Sequence, residues 1–369
     1  MLLKYYINNE INKVIITKNI TKVINTEINK LNSDKTLLLV YDKNISLEII
    51  KNIFSVLKLT GFKIYILKLE GSKINKNEKS LFKIFDFLIE KKFTKNSIIL
   101  SCGGGVVGDL AAFAASLYLR GLIYCHIPTT ITAIVDSCIG GKTAINYKGI
   151  VNSVGNYYHP KIVFIFNEII QKMPKREYVS GIPEILKCGL LKKNTILDFL
   201  EKKKKQIINR DFYIFEKLCI EALKTKIFFF IKDEREKNTR LNLNFGHTFA
   251  HAIEMALNIA NRNELIRHGE AVGLGMLCEI YYASSKKNNL YLRTKNILEQ
   301  YSLITSLKEL LPNFNKMILH KKIFDNIFLD KKKIGAYPRY VSLKSPYSPN
   351  IKNIFDMTKL NETIYHIFD

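Results

Sequence analysis

Between Gly103 and Gly155 the chain reads GGGVVGDLAAFAASLYLRGLIYCHIPTTITAIVDSCIGGKTAINYKGIVNSVG, a stretch that holds nine of its eighteen glycines in a sequence otherwise crowded with Lys, Asn and Ile. Glycine at that density points to backbone that something must approach closely, as a ligand does, rather than to a free connection. The apolar run Ser97–Cys102 before it predicts a buried strand, and the small residues Leu110–Leu119 after it predict a helix. A strand, a glycine turn and a helix start together offer unsatisfied N–H groups and a positive dipole end, which suit a pyrophosphate. The spacing G-x-x-G-D differs from the G-x-G-x-x-G fingerprint, so the turn alone fits a plain tight connection equally well.

The 369 residues are enough for two domains. No apolar run approaches the ~18 residues that would span a bilayer, and MLLKYYINNE has no signal-peptide pattern, so the expected location is the cytoplasm. The cysteines, 102, 125, 138, 188, 219 and 278, form no C-x-x-C pair, which argues against a cysteine zinc site or a disulfide framework. The net charge of +24 raises nucleic-acid binding, yet the lysines are spread evenly and the longest run is Lys202–Lys205 beside Glu201. No aromatic-interleaved basic stripe accompanies them, so neither a nucleic acid nor a membrane is an expected partner; the charge instead favours anionic small molecules.

The first half alternates predicted strands (Thr36–Tyr41, Lys63–Lys68, Ser97–Ser101, Ile123–Ile127, Ile162–Phe166) with helices near Leu47–Leu57 and Leu81–Lys91. Asp42 follows a strand end, where it can meet a cofactor ribose or begin a turn. After Met173-Pro174 the pattern turns helical. The expected architecture is an α/β N-terminal Rossmann-like domain with a largely parallel sheet over 1–175, joined to an α-helical C-terminal domain over 176–369, with a cleft between them.

A second cluster lies in the helical half. Asn244-Phe-Gly-His247-Thr-Phe-Ala-His251-Ala-Ile-Glu254 puts two histidines four residues apart on one helical face, and His268-Gly-Glu270 follows. Spacing alone lets His247 and His251 share a metal; Glu184, in an apolar segment, can complete a three-ligand site with one open position, the mark of catalytic zinc.

These residues carry a resemblance. GGGVVGD, RG then IPTT, DS then GGKTAIN, the EILK segment, LNFGHTFAHAIE, HGEAVGLGM and the late DKK together resemble the 3-dehydroquinate synthase family, in order from Gly103 to Lys332. The resemblance implies conversion of 3-deoxy-D-arabino-heptulosonate 7-phosphate to 3-dehydroquinate and phosphate, by transient oxidation with NAD, phosphate elimination, re-reduction and intramolecular aldol closure. It implies NAD bound to the N-terminal domain by Asp42, Lys79, Gly105, Val106, Val107, Gly108, Asp109, Thr129, Thr130 and Lys142. It implies Zn2+, with Co2+ as a possible substitute, on Glu184, His247 and His268 in the C-terminal domain. His251, Lys142, Lys187, Glu236, Arg240 and Asn244 would be catalytic, and Asp136, Asn152, Lys226 and one of Lys331 or Lys332 would contact the sugar phosphate. Arg120 would reach a neighbouring subunit's phosphate pocket, which implies a homodimer.

Five positions depart from the family pattern. Asn75-Lys76 stands where Gly-Glu is usual, so the ribose-binding carboxylate is missing or displaced by two; Val151 replaces a lysine, Lys172 a cofactor-contacting threonine and Pro183 an alanine. They bear more on NAD affinity than on chemistry. The competing readings are a related cyclase such as 2-deoxy-scyllo-inosose synthase, a zinc polyol dehydrogenase that would release NADH, and a basic binding protein without catalysis. Arg240 and Lys226 favour a substrate carboxylate, and hence the dehydroquinate-forming reaction over these alternatives.

Overall fold

The structure is a computed structural model and describes residues 1–7, 9–31, 33–258, 264–311, 314–329 and 337–368. It divides into two compact units, Met1–Tyr178 and Val179–Asp369.

The first unit is built on a seven-stranded sheet of β1 (Leu2–Ile7), β2 (Glu10–Thr17), β3 (Thr36–Asp42), β4 (Lys63–Leu69), β5 (Ile98–Gly103), β6 (Ile123–Pro128) and β9 (Ile162–Phe166), in the spatial order β1-β2-β9-β6-β5-β3-β4. Every pairing is parallel except β1 with β2. That antiparallel first pair was not anticipated, because Lys and Asn interrupt its apolar alternation. β7 (Lys142–Tyr147) and β8 (Ile150–Tyr157) form a separate hairpin. Its two-residue turn has Lys148 and Gly149 both at positive φ, as the twist of such hairpins requires.

The central strands are buried on both faces, which is why they read as continuous apolar runs rather than alternating ones. Leu37 and Leu39 of β3 pack with α1 (Ile20–Ile28) and α2 (Leu47–Lys58), while Leu38 and Val40 pack with α3 (Glu78–Glu90) and α4 (Gly105–Leu117). After β3 the chain moves outward to β4, then returns to β5 on the other side of β3. The C-terminal ends of β3 and β5 therefore flank a topological switch point, where doubly wound sheets bind ligands.

α4 begins at Gly105 rather than Leu110, so the predicted turn is already helical. It ends at Leu117, and the chain then passes through Leu119 (φ 48°), Arg120 (φ 65°) and Gly121 (φ 129°).

After α5 (Asn167–Lys172) and α6 (Lys175–Ser180), the second unit is formed by α7 (Ile182–Leu191), α8 (Ile196–Lys202), α9 (Lys204–Ile208), α10 (Phe212–Lys232), α11 (His247–Asn258), α12 (His268–Ala283) and later helices, with one short hairpin, β10 (Arg339–Ser342) and β11 (Asn350–Asn353). Pro183 stands in the first turn of α7, where a missing N–H costs nothing. Among the described residues no helix is long and apolar enough to cross a membrane.

Candidate active site

In the first unit, Asp42 ends β3 and the glycine turn follows β5, on either side of the switch point. The Asp42 carboxylate accepts from the N–H of Asn44 (3.0 Å) and of Gly71 (3.3 Å), so it already organises the loop ends there. Thr129 donates its N–H to the Gly103 carbonyl (3.0 Å), and Thr130 Oγ1 accepts from Ala133 N–H (3.1 Å). Thr129 thus braces the glycine turn from the end of β6, while Thr130 holds the start of the next turn. Val107 and Gly108 are buried, while Gly105, Val106 and Asp109 are partly exposed. Lys142 and Lys79 are exposed, and Asp136 lies in a short π-helical turn over Ala133–Ser137.

The glycines answer to the chain's own packing as well as to any ligand. A Cβ on Gly103 would lie 2.7 Å from Val107 Cβ, and one on Gly108 would lie 3.1 Å from His126 Cε1. His126, a residue with no role in the sequence reading, ends a buried polar chain. Tyr124 OH donates to the Gly108 carbonyl (3.1 Å), Ser101 Oγ bonds Tyr124 OH (2.8 Å), and His126 Nδ1 bonds Ser101 Oγ (2.6 Å). With one proton per hydroxyl, Nδ1–H is the donor to Ser101. Burial holds the ring neutral and lowers its pKa to about 4, against the raising effect of Ser101.

The second unit brings Glu184, His247 and His268 together from α7, α11 and α12, with one ligand atom from each lying within 4.8 Å of the others. Glycines make that approach possible. A Cβ on Gly269 would fall 1.6 Å from Ser180 O, and one on Gly275 would fall 1.9 Å from Gly246 O, so α12 rests on backbone in its first turn and again about two turns along. Gly246 itself (φ 82°) turns the chain into α11.

Glu184 Oε1 lies 3.2 Å from His268 Nε2 and 3.5 Å from His247 Nε2. A tetrahedral ion with bonds of about 2.0–2.1 Å needs ligand–ligand edges of about 3.3–3.4 Å. The two edges that meet at Glu184 Oε1 therefore suit a zinc-like ion, and three donors would leave the fourth tetrahedral position for another ligand. Glu184 Oε2 is ion-paired with Lys187 Nζ at 2.5 Å, both side chains buried, so one carboxylate oxygen is committed and Oε1 remains the donor.

Both histidines are oriented from behind. His247 Nδ1 faces the Phe245 carbonyl (3.1 Å) and His268 Nδ1 faces Glu254 Oε2 (2.9 Å), so each presents Nε2 to Glu184. Burial, then the Lys187 charge, holds His247 well below the usual histidine range and keeps it neutral. Burial would do the same to His268, but Glu254 and Glu184 override it and push the ring up to about 10. A metal entering here must displace that proton. Glu254 has no signal in the sequence beyond its place one helical turn after His251.

His251 stands beside this cluster, its ring 5.5 Å from that of His247 and stacked on that of His268 at 6.1 Å. It belongs with Glu254 and His268 to a second, overlapping group of donors. Lys226 is buried on α10 and Arg240 is buried in the turn Thr239–Asn244. Arg240 Nη1 donates to the Glu234 carbonyl (2.6 Å), and Asn244 Nδ2 donates to Glu236 Oε1 (2.8 Å), with Glu236 at φ 55°. Asn152 lies on β8, and Arg120 is exposed after α4. Lys331 and Lys332 lie outside the described residues.

Comparison with known proteins follows the same division. Residues 66–180 match the family model for the 3-dehydroquinate synthase N-terminal region, and residues 181–333 match that for the C-terminal region. The chain is 35% identical over 306 residues to a 3-dehydroquinate synthase of Prochlorococcus marinus subsp. pastoris, covering 80% of this chain and 83% of that one. It is 34% identical over 358 residues to that of Clostridium tetani, covering 92% and 88%. A 2-deoxy-scyllo-inosose synthase solved with carbaglucose-6-phosphate, NAD+ and Co2+ has the same fold, with a TM-score of 0.86 at 21% identity over the full length of both chains. The motifs from Gly103 onward, the matched models and the two relatives agree, and the chain belongs to the 3-dehydroquinate synthase family.

Proposed function

We propose that the chain is a 3-dehydroquinate synthase in activity, taking 3-deoxy-D-arabino-heptulosonate 7-phosphate to 3-dehydroquinate and phosphate with NAD and a divalent metal, zinc or cobalt. The observation that carries this is the Glu184, His247 and His268 triad with Lys187 on its carboxylate, in a chain of this family. When bound, NAD supplies a reversible hydride acceptor and the metal a Lewis acid.

The chain's own groups do the remaining work. The residues from Gly105 to Asp109, with Asp42, Lys79, Thr129 and Thr130, bind the cofactor at the switch point. Glu184, His247 and His268 hold the metal. The substrate carries a carboxylate and a phosphate, which Lys142, Lys187, Lys226 and Arg240 offset as cations. Asp136, Asn152, Glu236 and Asn244 orient its hydroxyl groups. His251 handles a proton at its ring nitrogen beside the metal ligands. Six buried thiols suit a reducing cytoplasm.

Incubation of zinc-loaded protein with NAD and the heptulosonate phosphate should release phosphate and form dehydroquinate in equal amounts, with no net NADH. Accumulating NADH would identify a dehydrogenase instead. The homodimer is tested by complementation: chains inactivated by Arg120→Ala, mixed with chains inactivated by His247→Ala, should regain activity in hybrids. Verified hybrids without activity would place Arg120 in its own subunit's site.

A further inference from the structure

Lys76 carries none of the roles above, yet it joins two residues that do. Its ammonium reaches Asp109 Oδ2 and Asn152 Oδ1, each at 2.5 Å. The Lys76 and Asp109 side chains are only 11% and 18% exposed, so the pair is largely shielded from solvent screening. The partners stand on separate elements, Asp109 on α4 and Asn152 on β8.

Asn152 is placed by a bulge. β7 and β8 pair from Lys142 with Tyr157 to Ile145 with Val154, and then Tyr147 with Ile150, so Val151–Ser153 oppose Asn146 alone. Within this bulge Asn152 takes φ 50°, and its N–H donates to Asn146 Oδ1 (3.0 Å). Bulges of this kind re-aim a side chain, here toward Lys76. Asn146 in turn donates its N–H to the Lys76 carbonyl (2.8 Å) and its Nδ2 to the Lys73 carbonyl (3.1 Å). Those backbone contacts hold the hairpin whatever side chain stands at 76. The ammonium ties Asn152 to the helix that carries the glycine turn.

We infer that Lys76 is a positioning residue that couples cofactor binding, felt at Asp109, to substrate binding at Asn152. The inference rests on the roles proposed above for those two residues. Fixing Asp109 against a cofactor fixes the ammonium, and the ammonium fixes the Asn152 amide before substrate arrives. The cost of ordering one site is then partly met by occupancy of the other, and the effect is reciprocal.

The test uses the full zinc-loaded chain and NADH, whose binding is read by its own fluorescence. NADH with the heptulosonate phosphate forms a complex that cannot begin the oxidation, so equilibrium affinities are measurable. We expect substrate to tighten NADH binding about tenfold, within the usual range of site-to-site coupling. Lys76→Met should reduce that factor to below about twofold with fold retained, and Lys76→Arg should keep part of it. Asn152→Ala should also remove the coupling, and adding Lys76→Met to it should change the factor no further. Coupling that survives Lys76→Met, or losses that add in the double variant, would overturn the inference. So would NADPH binding as tightly as NADH and only through Lys76, since the ammonium would then read a 2′-phosphate directly. An unaltered chain that binds no NADH would overturn the functional reading itself.

Discussion

Replacing Lys187 by methionine separates two effects of one ammonium. Lys187 and Glu184 sit one turn apart on α7, 2% and 1% exposed and 2.5 Å apart. Methionine retains the unbranched apolar stem and removes the charge, leaving a buried carboxylate beside two imidazoles. Breaking a buried pair in this way costs about 3–5 kcal/mol. His268, which holds its proton and lies 3.2 Å from Glu184 Oε1, supplies a partial replacement, so the low end, about 3 kcal/mol, is the expectation in metal-free protein. For a unit of this size that lowers Tm by roughly 6–12 °C.

The same substitution takes a cation away from the carboxylate that a metal would use, so zinc affinity should rise while turnover falls. Calorimetry on metal-free and zinc-titrated protein reads both consequences: the deficit of the variant should shrink as zinc is added, because the ion stabilises only the folded state and does so more strongly in the variant. A variant that binds zinc tenfold more weakly, or whose deficit is unchanged at saturating zinc, would refute the reasoning and show that Lys187 orients Glu184 rather than offsetting its charge.

Gly108→Val should destabilise the first unit by about 1–3 kcal/mol through overpacking against His126, as well as removing NADH binding. Adding His126→Ala should restore stability to denaturant but not NADH affinity; recovery of both would deny the turn its cofactor role. His126 binds its proton less readily folded (about 4) than unfolded (about 6.5), so its contribution to stability is complete above about pH 6.5 and is lost as pH falls toward 4, by up to about 3 kcal/mol. Urea unfolding across that window should be flatter in His126→Gln, and an equal acid slope would show that other groups govern it. His268→Ala should purify depleted of zinc, whereas His251→Ala should keep stoichiometric zinc and turn over roughly 10²–10⁴ times more slowly; metal analysis giving the reverse would exchange their roles.

How far the sequence could be read depended on whether each feature is local. β3 to β6, β9, α2 and α3 stand within a few residues of where apolar runs and their punctuation put them; in β3, β5, β6 and β9 this is because burial on both faces leaves nearly unbroken apolar runs. The β1–β2 pair was missed, since Lys and Asn within the pair hide the apolar period. His247 and His251 were visible as a pair by spacing, but spacing alone could not choose between them as ligands. The choice turns on which ring reaches Glu184, and that is set by how α11 and α12 cross at Gly246 and Gly275.

Lys76 and Glu254 show why the remainder was out of reach. Each acts on a residue the sequence did identify, and each does so across a gap no period records, from Lys76 to Asp109 and Asn152 and from Glu254 to His268. In the sequence Lys76 is a missing carboxylate, a reason to expect weaker cofactor binding. In the fold it is a cation seated between an acid and an amide. The glycines teach the converse. Their density between Gly103 and Gly155 was read as room for a ligand, yet Gly103 makes room for Val107 and Gly108 for His126. Glycine marks the place where something comes close, and only tertiary structure says whether that something is a cofactor or another part of the chain. Around Gly108 the structure allows both to be required, because the face of α4 that meets His126 is buried while Asp109 beside it is partly exposed. The double variant at 108 and 126 therefore probes the turn from the side the sequence could not see.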